Sequence, residues 1–103
     1  MQLPKTLKIG ALTYTVEPEK NLHSAEGHSL YGQIFYTDCK ILIDEKYVDS
    51  QRLPFSLWHE VIHGILEQAG MADVKEKIVE VLGYGVVDAL RNNKVLRMDD
   101  DDA

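Results

Sequence analysis

The stretch Trp58-His59-Glu60-Val61-Ile62-His63-Gly64 constrains this chain more than any other. It reads H-E-x-x-H, two histidines four residues apart with a glutamate between them. On a helix, positions four apart lie nearly one above the other on one face. Two imidazoles so placed can share one tetrahedral metal ion, most often zinc. Helix geometry puts Glu60 about 100° around from His59 and about 60° from His63. That is near enough to reach a water on the metal, yet turned away from the ligand position.

The flanks predict a helix. Pro54 suits a first helical turn, where no backbone N–H is needed. Gly70 follows the last periodic residue, as a helix-ending glycine does. Between them, Phe55, Trp58, Ile62, Ile65, Leu66 and Ala69 fall on one arc, the core-facing stripe of an amphipathic helix. His59 and His63 border that stripe. Glu60 and Glu67 are expected beyond them, toward solvent. Without a metal, the same letters read as a core histidine beside a solvated charge.

A length of 103 residues bounds the chain to one domain with a modest core. Residues 1–98 are expected to form it, with 99–103 as an acidic disordered tail built on Asp99 to Asp102. At 45% hydrophobic and 27% charged, the composition is that of an ordinary globular protein. No apolar run is long enough for a membrane span, and the N-terminus carries no basic-apolar signal segment. Cys39 is the only cysteine, so no internal disulfide forms, and a cytoplasmic location fits. A net charge of −6 argues against nucleic-acid binding.

Residues 5–17 predict a β-hairpin. Leu7 and Ile9 alternate with polar residues, as do Leu12, Tyr14 and Val16 after Gly10-Ala11, and Pro18 is expected to end the second strand. Residues 17–30 lack a period and read as loop. His23 and His28 fall there, and exposed loop histidines are the simpler reading of both, ahead of metal ligation or substrate contact. Residues 31–44 predict a second hairpin turning at Thr37-Asp38-Cys39, with Ile41-Leu42-Ile43 as a short buried strand. A strand beside a metal helix could also pair with an extended peptide by strand addition.

A second helix is expected from about Asp73 to Asn92, with Val79, Leu82, Val86, Val87 and Leu90 as its apolar stripe and Gly83 permitting close approach. Folded back across the Gly70 turn, Glu76 comes level with His63 and Glu80 with His59. Either carboxylate could complete a His₂Glu site. Asp73-Val74-Lys75-Glu76 also reads as a capping box, which would occupy Glu76. Spacing alone leaves Glu76 and Glu80 open as third ligand. The fold class that emerges is α+β: two N-terminal hairpins forming a small antiparallel sheet, packed on two C-terminal helices.

With these pieces in hand, the chain resembles the small phage- and prophage-type members of the ImmA/IrrE-like zinc metallopeptidases. The matching pieces are Lys8-Ile9-Gly10 with Tyr14-Thr15-Val16, Leu30-Tyr31-Gly32-Gln33-Ile34, Ile41-Leu42-Ile43-Asp44, His59-Glu60-Val61-Ile62-His63, and Glu76 to Leu90. The resemblance covers most of the chain, and the H-E-x-x-H motif is its specific part. It implies a minimal zincin-like core, zinc (Zn2+) held by His59, His63 and Glu76, and Glu60 as catalytic base. Leu66 and Ala69 stand where the extended metzincin pattern needs a glycine and a third histidine, which excludes that pattern.

The activity so implied is hydrolysis of peptide bonds in a protein or peptide partner. Zinc with three protein ligands keeps a fourth position for water and lowers its pKa toward about 7. Glu60 takes the proton and passes it to the leaving amine. Tyr31, Tyr36, Tyr84 and His28 are equal candidates for a donor to the oxyanion. Two other readings stand beside this one. A non-catalytic, zinc-stabilised interaction module would use the metal as a staple, as small domains often do. A metal-free interaction domain would carry the motif by accident.

Overall fold

The computed structural model describes residues 2–98; the acidic tail expected at 99–103 lies outside the described residues. Thr6–Ile9 (β1) and Leu12–Glu19 (β2) form the first hairpin around Gly10, whose φ of 59° suits glycine. Gly32–Phe35 (β3) and Lys40–Asp44 (β4) form the second. Both hairpins are therefore where the sequence pattern puts them, and the fold is α+β.

The sheet that they build is mixed, not antiparallel as expected. Strand order is β1-β2-β4-β3, and β2 runs parallel to β4. The reason is burial. Ile41 and Ile43 are both fully buried, so β4 belongs inside the sheet, while half-exposed β3 takes the edge. The loop between β2 and β3 carries the chain past β4's place and lets the second hairpin fold back into it. Asp44 holds that path, accepting hydrogen bonds from the Leu22 and Lys46 backbone N–H groups, each at 3.0 Å.

Pro18 does not end β2, which continues to Glu19 with Pro18 opposite Ile43. Backbone N–H groups alternate in direction along a strand. Thr15 donates toward β4, to the Cys39 carbonyl, and Val16 donates to the Lys5 carbonyl on the other side. Pro18 follows Val16 by two, so its missing N–H points past the start of β1, where no strand requires it.

Leu53–Gln68 (α1) lies across the sheet, and Glu76–Asn92 (α2) packs on α1; a short helix, Lys94–Arg97 (α3), follows. Ile9, Tyr14, Val16, Ile41, Ile43, Leu53 and Leu57 form one core between sheet and α1. The α1 stripe is rotated from the expected arc. Leu53, Ser56, Leu57, Glu60 and Gly64 face inward with Ile62, while Ile65 is exposed and Ala69 is too. A helix held between a sheet and a second helix has two covered faces, and a single-stripe reading finds only one of them. On α2, Val79, Gly83 and Val87 are buried, and Leu82, expected in the stripe, is 47% exposed.

Two glycines set the spacing of these layers. A Cβ at Gly64 would lie 3.1 Å from Ile9 Cδ1 and 3.3 Å from Ile34 Cδ1, so α1 sits directly on the sheet there. At Gly83 it would meet the His59 backbone at 3.7 Å, which brings α2 against the motif. Gly64→Leu should therefore destabilise the fold by about 1–3 kcal/mol or more through overpacking, measured by urea unfolding. An unchanged midpoint would contradict this packing. Among the described residues, no helix is long and apolar enough to cross a membrane.

Candidate metal centre and cleft

The motif histidines project from successive turns of α1 toward the start of α2. Their Nε2 atoms are 3.2 Å apart. Glu76 Oε1 lies 3.3 Å from His63 Nε2 and also contacts His59 Nε2. His59, His63 and Glu76 each offer one ligand atom, and these lie within 4.8 Å of one another. Ligands at 2.0–2.1 Å from a tetrahedral ion stand about 3.3–3.4 Å apart. The His59–His63 and His63–Glu76 spacings match that value, while His59 and Glu76 are in direct contact and would part to admit the ion; imidazole with carboxylate is a donor set that zinc accepts, so the residues fit it by chemistry.

Glu76 is free for this role because α2 starts later than expected. Its N-cap is Lys75 and Glu76 is the first helical residue, so the Asp73 capping box does not form. Burial opposes ionisation of Glu76, but hydrogen bonding to His63 and the charges of His63 and His59 outweigh it and hold the carboxyl below its ordinary range. Glu80 lies one turn further on, lines the adjoining cleft, and is not in the cluster. Glu76→Gln should weaken zinc binding by more than about 100-fold, beyond what loss of a supporting partner costs. Glu80→Gln should leave it nearly unchanged in the same competition titration. The reverse order would move the third ligand to Glu80.

Glu60 departs most from the sequence expectation. It is buried, at 5% exposure, not turned to solvent. It shares the inward face with Leu57 and Gly64 and points under the edge strand β3. A Cβ at Gly32 would lie 3.2 Å from Glu60 Oε2, so the strand glycine makes room for the carboxylate. Burial, with a smaller contribution from the Glu76 charge, pushes the Glu60 carboxyl up to about 8 in the metal-free protein.

A cleft of about 270 Å³ opens over this group. His59, Glu60, Glu76 and Glu80 form its acidic end, and Tyr31, Phe55 and Tyr84 line its walls. Of the four oxyanion candidates, Tyr31 and Tyr84 line the cleft; Tyr36 and His28 do not. The Tyr36 hydroxyl is held above its ordinary pKa by burial and by the Glu60 and Glu67 charges, so it stays protonated at neutral pH. His23 and His28 sit in the expected loop, away from the cluster, with His23 bridged to Ser29.

Sequence reasoning missed the pairing of Gly32 with Glu60 and the place of Phe55, assigned to the core stripe but standing in the cleft wall. A glycine inside a strand pattern was the available sign of the first. Nothing in the periodicity separates a cleft aromatic from a core one. Compared with protein-family models, curated proteins and solved structures, the chain matches none.

Proposed function

We propose that this chain is a minimal zinc-dependent metallopeptidase of the ImmA/IrrE-like kind, hydrolysing peptide bonds in a protein partner. The observation that carries the reading is the convergence of one ligand atom each from His59, His63 and Glu76 within 4.8 Å, beside the buried carboxylate of Glu60. A cluster serving only as a staple has no use for a carboxylate held under an open cleft.

Zinc bound there supplies a Lewis acid and lowers the pKa of water to about 7. The charge of a bound zinc ion would favour the ionised Glu60 carboxylate, which would accept the proton of the attacking water and deliver it to the leaving amine. Tyr31 and Tyr84 line the cleft walls, and a hydroxyl from either would serve as donor to the developing oxyanion. β3 is the edge strand above the motif, and its outer side is open to an extended peptide, which main-chain hydrogen bonds would hold across the cleft.

The test is incubation of the zinc-loaded protein with an unfolded protein such as casein, with new termini read by mass spectrometry. Cleavage that a chelator stops and zinc restores is the expected result. One tightly bound zinc per chain without cleavage of any protein would instead identify a zinc-stabilised interaction module.

A further inference from the structure

Two arginines stand out in a chain of net charge −6. The Arg52 guanidinium lies 4.9 Å from the centroid of the Tyr31 ring, and that of Arg91 lies 5.0 Å from the centroid of Phe55. Tyr31 and Phe55 are both walls of the cleft. Among the described residues, neither arginine has a carboxylate within 4.0 Å. The rings fix the two cations without neutralising them. Phe55 in turn packs on Tyr84, with centroids 5.0 Å apart. Carboxylates and aromatic rings therefore line the cleft, and the two guanidiniums stand against its wall rings, just outside the lining itself.

We propose that the cleft selects peptides with a bulky apolar residue beside the scissile bond and a carboxylate two or three residues from it, which Arg52 and Arg91 bind. This rests on the peptidase reading for the scissile bond, while the carboxylate recognition is read separately below. The spacing follows from the helix. Phe55 and Arg52 precede His59 by four and seven residues on one helical run, about 6 and 10 Å along the axis. An extended peptide advances about 3.3 Å per residue, so two or three residues span that distance. Guanidinium is suited to the task because it binds carboxylate through two parallel hydrogen bonds while stacked on a ring. The carboxylate can belong to an aspartate or glutamate side chain or to a peptide C-terminus.

The experiment is fluorescence anisotropy of the zinc-loaded full chain with labelled, phenylalanine-centred octapeptides. One set carries a glutamate two or three positions to either side of the phenylalanine, with an amidated end. A second set has glutamine there and a free C-terminus three residues on. A third has glutamine and an amidated end. Peptides with a carboxylate should bind at least about tenfold more tightly than the third set. Comparison of the first two sets assigns the carboxylate to side chain or terminus. The Arg52→Gln/Arg91→Gln variant should lose the difference, and Lys5→Gln/Lys20→Gln, which removes two exposed charges elsewhere, should keep it. Equal binding of all three sets, or a preference that survives loss of both arginines, overturns the proposal. Because the peptide comparison uses the unaltered protein, it stands even where a variant fails to fold. Mass spectrometry of the same mixtures reads cleavage separately. Carboxylate preference without cleavage would keep this inference and remove hydrolysis; cleavage without preference would do the opposite.

Discussion

Glu60→Gln should lower peptide hydrolysis by about 10³-fold while the protein still binds one zinc per chain. The substitution keeps the shape of the side chain under Gly32 and removes only its ability to carry the proton. The proposed ligands His59, His63 and Glu76 are untouched, so the zinc-binding curve should overlay that of the parent. Both quantities come from one preparation, by rate of product formation and by competition with a chromogenic chelator. Full activity in the variant would end the general-base role of Glu60, whatever the metal does. Loss of zinc together with activity would mean that Glu60 supports the site structurally.

The second large effect concerns the metal-free protein and pH. Glu60 is pushed from 4.5 to about 8 by burial first and the Glu76 charge second. Its folded pKa lies above its unfolded one, so between these values the native state holds a proton that the unfolded chain has released. Stability then falls as pH rises through that window, from about 4.5 to about 8. At about 1.4 kcal/mol per pKa unit, the loss is on the order of 5 kcal/mol, a large part of a small domain's roughly 5–15 kcal/mol. Glu76 works the other way. Its folded pKa is depressed, so its contribution is present above the unfolded value and is lost as pH falls through the lower, folded one. The two windows do not overlap, and between pH 5 and 8 Glu60 sets the slope contributed by this pair.

Urea unfolding of the chelator-treated protein should therefore give a lower stability at pH 8 than at pH 5.5. Glu60→Gln, which has no charge to bury, should flatten that slope and be the more stable protein at pH 8. Adding zinc at about 1,000 times its dissociation constant should raise the stability of the parent by about 4 kcal/mol. A parent and variant with parallel pH profiles would show that Glu60 is not held as a buried acid.

The parts of this fold that were legible in the sequence are those fixed locally. Period-two alternation located the first hairpin, β-branched and aromatic runs around a turn located the second, and Pro54 and Gly70 bracketed α1 to within a residue or two. What alternation cannot encode is which strand of one hairpin lies beside the other. That choice followed from the burial of Ile41 and Ile43, a property of the assembled layers. Pro18 shows the same limit: its tolerance in β2 depends on where β1 begins.

At the site, the four-residue spacing placed His59 and His63 together, because it is a statement about one helix. Which of Glu76 and Glu80 stands beside the histidines depended on where a second helix starts; it starts at Glu76, and Glu76 is the one in the cluster. Glu60 was assigned to solvent because a helical wheel assumes one buried face. Sheet and α2 cover two, and the carboxylate lies under one of them. The arginines stacked on Tyr31 and Phe55 left no mark in the local pattern, since Arg52 meets Tyr31 and Arg91 meets Phe55 only after the layers pack.

The central claim is that three side chains of this protein hold one metal ion. Elemental analysis of protein purified without a chelating tag and without added metal tests it most directly. About one zinc per chain, lost on substitution of His63 by alanine, is the predicted result. No bound metal, and no uptake at micromolar or better affinity on titration with zinc, would contradict it. His59, His63 and Glu76 would then be a hydrogen-bonded cluster on an interaction domain.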